Sequence, residues 1–176
     1  MIQIIGAKGT IPHVERFLQH ILSVAQQNNV VIQVMDAKVV YGKNHVLSAA
    51  THAIRAMKQK RNTTKSLAME LLLYASGERQ IKLGIKKMGV TKRTQTIALV
   101  IIQKMKGIPD AQGSLSNHAL QALLKTIKFS RDDKVLEGDA DTLKRFGITT
   151  QEITTVPSRK YGDLILEKVA MVDVIK

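Results

Sequence analysis

Cysteine and tryptophan are absent, and phenylalanine and tyrosine supply only three residues each in a chain of 176. Without cysteine there can be no disulfide, no thiolate zinc site and no cysteine nucleophile. That composition suits a reducing cytoplasm, which is the location expected here. So few aromatic rings make a poor stacking platform for a long single strand of nucleic acid. The longest apolar run, Ile97 to Ile102, falls far short of the ~18 residues of a membrane span. Met1 to Gly6 is apolar but too short for a secretory core segment. No internal repeat, low-complexity tract or long linker interrupts the sequence.

Acidic residues are also scarce, and the shortage is local. Residues 1–37 and residues 107–176 each balance to zero net charge, whereas residues 38–106 carry fifteen basic side chains against Glu70 and Glu78 alone. The whole formal excess of +13 therefore sits in 69 consecutive residues. A soluble small domain needs a net charge of only ~2–8. The surplus points to a polyanionic partner, with a merely solvated face as the plainer reading.

What is present is enough for a core. With 44% hydrophobic residues, a single domain over residues 1–176 is expected. Gln3 to Ala7 and Val30 to Met35 read as strands, and Gln95 to Gln103 as a strand buried on both faces. Val14, Phe17, Leu18, Ile21, Leu22 and Ala25 repeat at helical spacing, with Thr10 as a cap and Pro12 in the first turn. Asn44 is a good N-cap for a helix whose apolar face runs through Val46, Ala49, Ala50, Ala53, Ile54 and Met57. Further helices are expected over Ser66 to Ala75, stopped by Ser76-Gly77, and from about Glu78 to Met88, with Ile81, Ile85 and Met88 inward. Others follow over Ser116 to Ile127, Asp141 to Phe146 and Asp163 to Ile175. This order predicts an α+β fold, a small mixed sheet of three to four strands packed by about six to eight helices.

Catalytic signatures are missing. Neither GxxxxGK[ST] nor GxGxxG occurs, and Gly6-Ala7-Lys8-Gly9-Thr10 has the right residue types at the wrong spacing. His13 and His20, like His45 and His52, stand two helical turns apart, roughly 10 Å, too far to share a metal. All four read as surface histidines. Asp139 and Asp141 form a DxD but sit in an acidic loop that reads as a helix start. Glu70 reads as a structural ion-pair partner of Arg79 or Lys65. No nucleophile stands beside a base, so no enzyme, no metal and no cofactor are expected.

The basic block is the remaining candidate. Arg79, Lys82 and Lys86 fall on one stripe of a helix. Arg55 and Lys58 end the preceding helix and run into Lys60, Arg61 and Lys65. If those helices are neighbours, the two groups frame one groove for a phosphate backbone. Ser76 and Gly77 would let a strand end approach closely. A membrane-surface role would need large apolar residues exposed beside the lysines, and the apolar residues here read as core.

Two runs add a resemblance. Tyr41-Gly42-Lys43-Asn44-His45-Val46-Leu47-Ser48-Ala49-Ala50 and Met69-Glu70-Leu71-Leu72-Leu73-Tyr74-Ala75-Ser76-Gly77-Glu78-Arg79-Gln80-Ile81 resemble the small PRPK-binding-protein-type subunit of the KEOPS complex, in an archaeal form. The closing Glu167-Lys168-Val169-Ala170-Met171 is similar too. The likeness covers about Asp36 to Val90 well. It implies a non-catalytic accessory subunit of the machinery that makes threonylcarbamoyladenosine in tRNA. Such a subunit sits against the kinase-like ATPase subunit, stimulates it, meets the other subunits indirectly, and recruits tRNA by its single-stranded CCA end. The matching positions are Lys58, Lys60, Arg61, Asn62, Lys65, Ser76, Gly77, Arg79 and Gln80, to which the stripe adds Lys82 and Lys86. Arg79 and Gln80 can equally be read as a helix start that ties two helices together. Two further readings stand beside the tRNA-binding subunit: a protein-only regulator of a kinase-like partner, and a stand-alone RNA-modifying enzyme.

Overall fold

The structure, a computed structural model, describes residues 1–175. Its sheet is built from β1 (Ile2–Gly9), β2 (Val31–Asp36), β3 (Thr96–Ile102) and β4 (Phe129–Arg131), in the spatial order β2-β3-β1-β4. The α+β class holds. Every pairing is antiparallel, where a mixed sheet is expected from the sequence. The reason is topological. The helix α1 (Val14–Gln27) carries the chain from β1 to β2, which leaves those strands parallel, but β3 fits between them and runs the other way.

β3 is buried along its length from Ile97 to Ile102, as its unbroken apolar run requires. Alternate residues serve opposite cores. Ile97, Leu99 and Ile101 join Ile5, Ile32 and Val34 against α1 and α5 (Asn117–Thr126). Ala98, Val100 and Ile102 join Val31 and Met35 against α2 (Gly42–Lys58), α3 (Leu67–Ser76), α6 (Ala140–Phe146) and α8 (Tyr161–Ile175). Each fully buried aliphatic side chain stabilises by about 1.5–3 kcal/mol, so β3 is the shared wall of both cores. A short α4 (Ile81–Met88) and a single-turn α7 (Thr150–Thr154) complete the helices.

Helix ends follow local chemistry, with two departures. α2 starts at Gly42, so Asn44 lies in its first turn and is not the N-cap. Tyr41 stands at the cap position without a side-chain cap bond, and its own N–H donates to His45 Nδ1 at 3.1 Å. α1 starts at Val14 with His13 at the cap position, so Thr10 and Pro12 precede the helix. Gly77 ends α3 in the left-handed region at φ 67°, its N–H donating to Tyr74 O and the Glu78 N–H to Leu73 O. This double closure needs a residue without a Cβ. Asp139 caps α6 through the Thr142 N–H at 2.8 Å, so the DxD is a helix start.

Candidate nucleic-acid interface

α3 is almost wholly buried, and it separates the two basic groups. α2 packs along one side of it and α4 along another. The basic residues at the end of α2 and those of α4 thus stand on two elements that share α3 as a neighbour. Two basic surfaces flank it.

The first surface is the end of α2 and the following loop. Lys58, Lys60, Arg61 and Lys65 are exposed. Lys60 adopts φ 55°, a left-handed turn held by its N–H on Met57 O and the Arg61 N–H on Ala56 O. Asn62 turns inward, donating to Thr64 O at 2.8 Å. Glu70 organises this loop. It is fully buried, and its carboxylate accepts the backbone N–H groups of Thr63 and Thr64 at 2.9–3.2 Å. The sequence suggests an ion pair with Arg79 or Lys65; these bonds go to backbone donors instead, because the loop folds over the first turn of α3. The side chain of Lys58 lies across Gly107, its Cε 3.6 Å from where a Cβ would stand. That brings Lys104 and Lys106, both exposed, to the same surface, two residues the sequence pattern did not single out.

The second surface is α4. Here the buried face differs from expectation. Gly84 and Met88 point inward, whereas Ile81, Leu83 and Ile85 are 40%, 44% and 49% exposed. Gly84 explains the change: a Cβ there would stand 3.1 Å from the Ser76 hydroxyl, so α4 lies close on α3 by its glycine. The isoleucines are turned out beside Lys82 and Lys86, so the expectation that the apolar residues among these lysines are core, on which a membrane-surface role was set aside, does not hold for α4. Gly84 and Met88 are four residues apart, which is the signal that could have revealed this face. Arg79 and Gln80 are exposed just ahead of α4, Gln80 as its N-cap residue and Arg79 outside the helix, so the stripe expected from Arg79 through Lys86 is helical only at Lys82 and Lys86. Ser76 lies fully inside, its hydroxyl donating to Leu73 O. Its side chain is not available to a ligand; only the adjoining turn at Gly77 is. Lys87 is different from its neighbours. It pairs with Glu78 at 3.3 Å and stands 3.9 Å over the Phe146 ring, and burial lowers its pKa.

Among the described residues, Lys43, Arg55 and Lys87 are the members of the basic block that take part in ion pairs. The rest of the block faces solvent without a carboxylate partner there. Between the two surfaces, at the N-terminal end of α3, two cavities of about 400 and 330 Å³ share Leu22, Ile32, Ser66 and Ala68. They form an apolar trough along the open edge of β2.

Of the four histidines read as surface residues, His45 is buried and His52 is half-buried. The His45 Nε2 lies 2.7 Å from Ala75 O and its ring packs edge-on against Phe146. Burial lowers its pKa to about 4, so it is neutral and structural at pH 7. No cluster of three or more histidine or acidic side chains is placed to hold a metal among the described residues. No described helix is long and apolar enough to cross a membrane.

The chain is an α+β domain whose basic middle third is largely exposed to solvent. The chain belongs to the CGI-121 family: the family model described as "Kinase binding protein CGI-121" matches residues 13–173. A curated relative, "Regulatory protein Cgi121" of Methanocaldococcus jannaschii, is 30% identical over 147 residues, which cover 82% of this chain and 84% of the relative. The family match includes residues 107–160, for which the sequence had offered no motif.

Proposed function

We propose that this protein is a non-catalytic accessory subunit of the KEOPS tRNA-modifying complex, which binds the CCA end of tRNA and regulates a kinase-like ATPase partner. The observation that carries the RNA reading is α4 and its approach: Lys82 and Lys86 on the helix and Arg79 just ahead of its cap are exposed, with no ion pair among the described residues, beside the exposed Ile81 and Ile85. Phosphates would be met by the cations and the faces of unstacked bases by the isoleucines. That arrangement suits a short strand end and has no use for a duplex. Regulation of a kinase-like partner is supported by the family's description, and cytoplasmic location by the lack of cysteine.

The test is a filter-binding titration of the full chain against intact tRNA, tRNA trimmed of its CCA end, and tRNA with an altered anticodon, across a salt series. Trimming should weaken binding at least ~10-fold, while the anticodon change should have little effect, and affinity should fall with salt as phosphate contacts require. Equal affinity for both altered tRNAs would defeat the CCA assignment. No binding at low salt would favour a protein-only regulator of the kinase-like partner.

A further inference from the structure

A cavity of about 290 Å³ opens at the end of α2, lined by Arg55, Ala56, Gln59, Arg61, Thr63 and Asp173. Asp173 comes from the last turn of α8, 118 residues beyond Arg55 in the chain. One carboxylate oxygen accepts from the Arg55 guanidinium and lies 2.7 Å from His52 Nδ1. The other accepts the Tyr74 hydroxyl. Arg55 thus commits one terminal nitrogen to Asp173, and a guanidinium carries five N–H donors. Arg61 reaches the same cavity with no ion pair among the described residues. Gln59 adds an amide. Two guanidiniums, an amide and one carboxylate share a pocket that is open to solvent beside Lys58 and Lys60.

A carboxylate and a phosphate present similar oxygen pairs to a guanidinium fork. We propose that this cavity is a subsite for a backbone phosphate of the bound RNA, held by Arg55 and Arg61, and that Asp173 is its built-in competitor. In the free protein the carboxylate occupies Arg55. When a phosphodiester enters, Arg55 turns to it, and Asp173 keeps only Tyr74 and His52. Occupancy of the RNA surface is thereby linked to the end of α8, where Met171 and Val174 are exposed. The linkage is reciprocal: whatever clamps the end of α8 against Arg55 weakens the phosphate subsite by the same factor. The burial of Asp173 opposes its charge, yet the bonds from Tyr74, His52 and Arg55 hold its pKa down at about 2. It is therefore a full negative charge at neutral pH. This proposal rests on the RNA reading above and adds to it a second contact region, remote from α4, and a reason for the lone acid in that cavity.

The test compares tRNA binding by the full chain and its variants across a salt series. Asp173→Asn removes the competing charge but keeps the side-chain shape. It should bind tRNA about 5-fold tighter, with the salt slope steeper by about 0.7–0.9, one further phosphate. Arg61→Ala should bind about 5-fold weaker with an unchanged melting temperature, since Arg61 is exposed. Arg55→Ala should cost more in the Asp173→Asn background than in the wild type, the signature of competition in a double-mutant cycle. A folded Asp173→Asn protein that binds no tighter overturns the competitor. Arg61→Ala with wild-type affinity overturns the subsite, and that measurement stands even if Asp173→Asn does not fold. If wild-type protein binds tRNA and α4 charge reversal abolishes it while these variants are silent, the subsite falls and the RNA reading survives. If wild-type protein does not bind at low salt, the RNA reading itself falls.

Discussion

Residues 38–106 and residues 107–175 treat charge differently. In the later segment three bases meet acids of the same segment: Lys168 meets Glu152 at 2.7 Å, Arg131 meets Asp133 at 3.1 Å and Lys144 meets Asp141 at 3.9 Å. Asp133 also gathers Lys43 and the Gly6 N–H, which with Arg131 keep its carboxyl well below the usual range, the Arg131 bond foremost. Bonds from Lys168 and Thr149 hold Glu152 at about 2. In the earlier segment most cations have no such partner, and the buried acid, Glu70, faces backbone N–H groups of the loop that carries Lys60, Arg61 and Lys65. The later segment has as many acids as bases and uses several of them to fasten helices and turns; the earlier one has a surplus of cations that its two acids cannot match. Sequence counts alone could not distinguish these, because a zero balance does not reveal who pairs with whom.

The largest effect is expected from reversing α4. Arg79→Glu, Lys82→Glu and Lys86→Glu together should weaken tRNA binding ~100-fold or more, about 3 kcal/mol, and flatten the salt slope by about 2. All three side chains are exposed, so the melting temperature should stay within about 2 °C. Binding within threefold of wild type would erase the contrast between the two segments.

Acidification probes the seam where they meet. His45, on α2, packs on Phe146 of α6, and its folded pKa of about 4 lies below the ordinary 6.5. The unfolded chain therefore takes up a proton on His45 at a pH where the folded one does not. Its stabilising effect is whole above pH 6.5 and fades as the pH falls toward 4. From pH 7 to pH 5 the loss is about 2 kcal/mol, a drop in melting temperature of about 4–8 °C. A pH series of melting curves for wild type and His45→Gln checks this: the variant's curve should be flatter over that interval, and parallel curves would remove His45 as the cause.

The smallest effect is expected where both charges lie in water. Lys144 and Asp141 have side chains 60% and 67% exposed. Lys144→Ala should change stability by less than about 0.5 kcal/mol and leave tRNA affinity unchanged. A loss of several degrees on melting would mean that the later segment's exposed pairs carry more of the fold than their geometry allows.

Elements with one strong periodic signal were legible from the chain. β3 shows as an unbroken apolar run, and of Leu164, Ile165, Val169 and Val172, which the spacing places on one face of α8, the last three are buried and Leu164 partly so. The stop of α3 at Gly77 was also plain, since a left-handed cap has few alternatives. The face of α4 was not, because hydrophobic spacing cannot see a glycine used as a packing surface: Gly84 on Ser76 outranked Ile81 and Ile85 for the inward side. His45 was misplaced for a related reason. A histidine counts as polar, yet its two nitrogens are satisfied by Tyr41 and Ala75 across two elements, a meeting that only the tertiary fold creates. The union of Lys58 with Lys104 and Lys106 depends on Gly107 passing beneath a lysine stem, which sequence separation hides.

The placement of β3 has a consequence for how the chain is made. β1 and β2 leave the ribosome early, but neither pairs with the other; each needs β3, whose last residue is Ile102. Until then the nascent protein has two apolar strands without ladders and a run of helices from α2 to α4 with no sheet to lie on. Synthesis at ~5–20 residues per second makes that wait several seconds long. The cations of residues 38–106 emerge during it, before the strands on either side of them can pair.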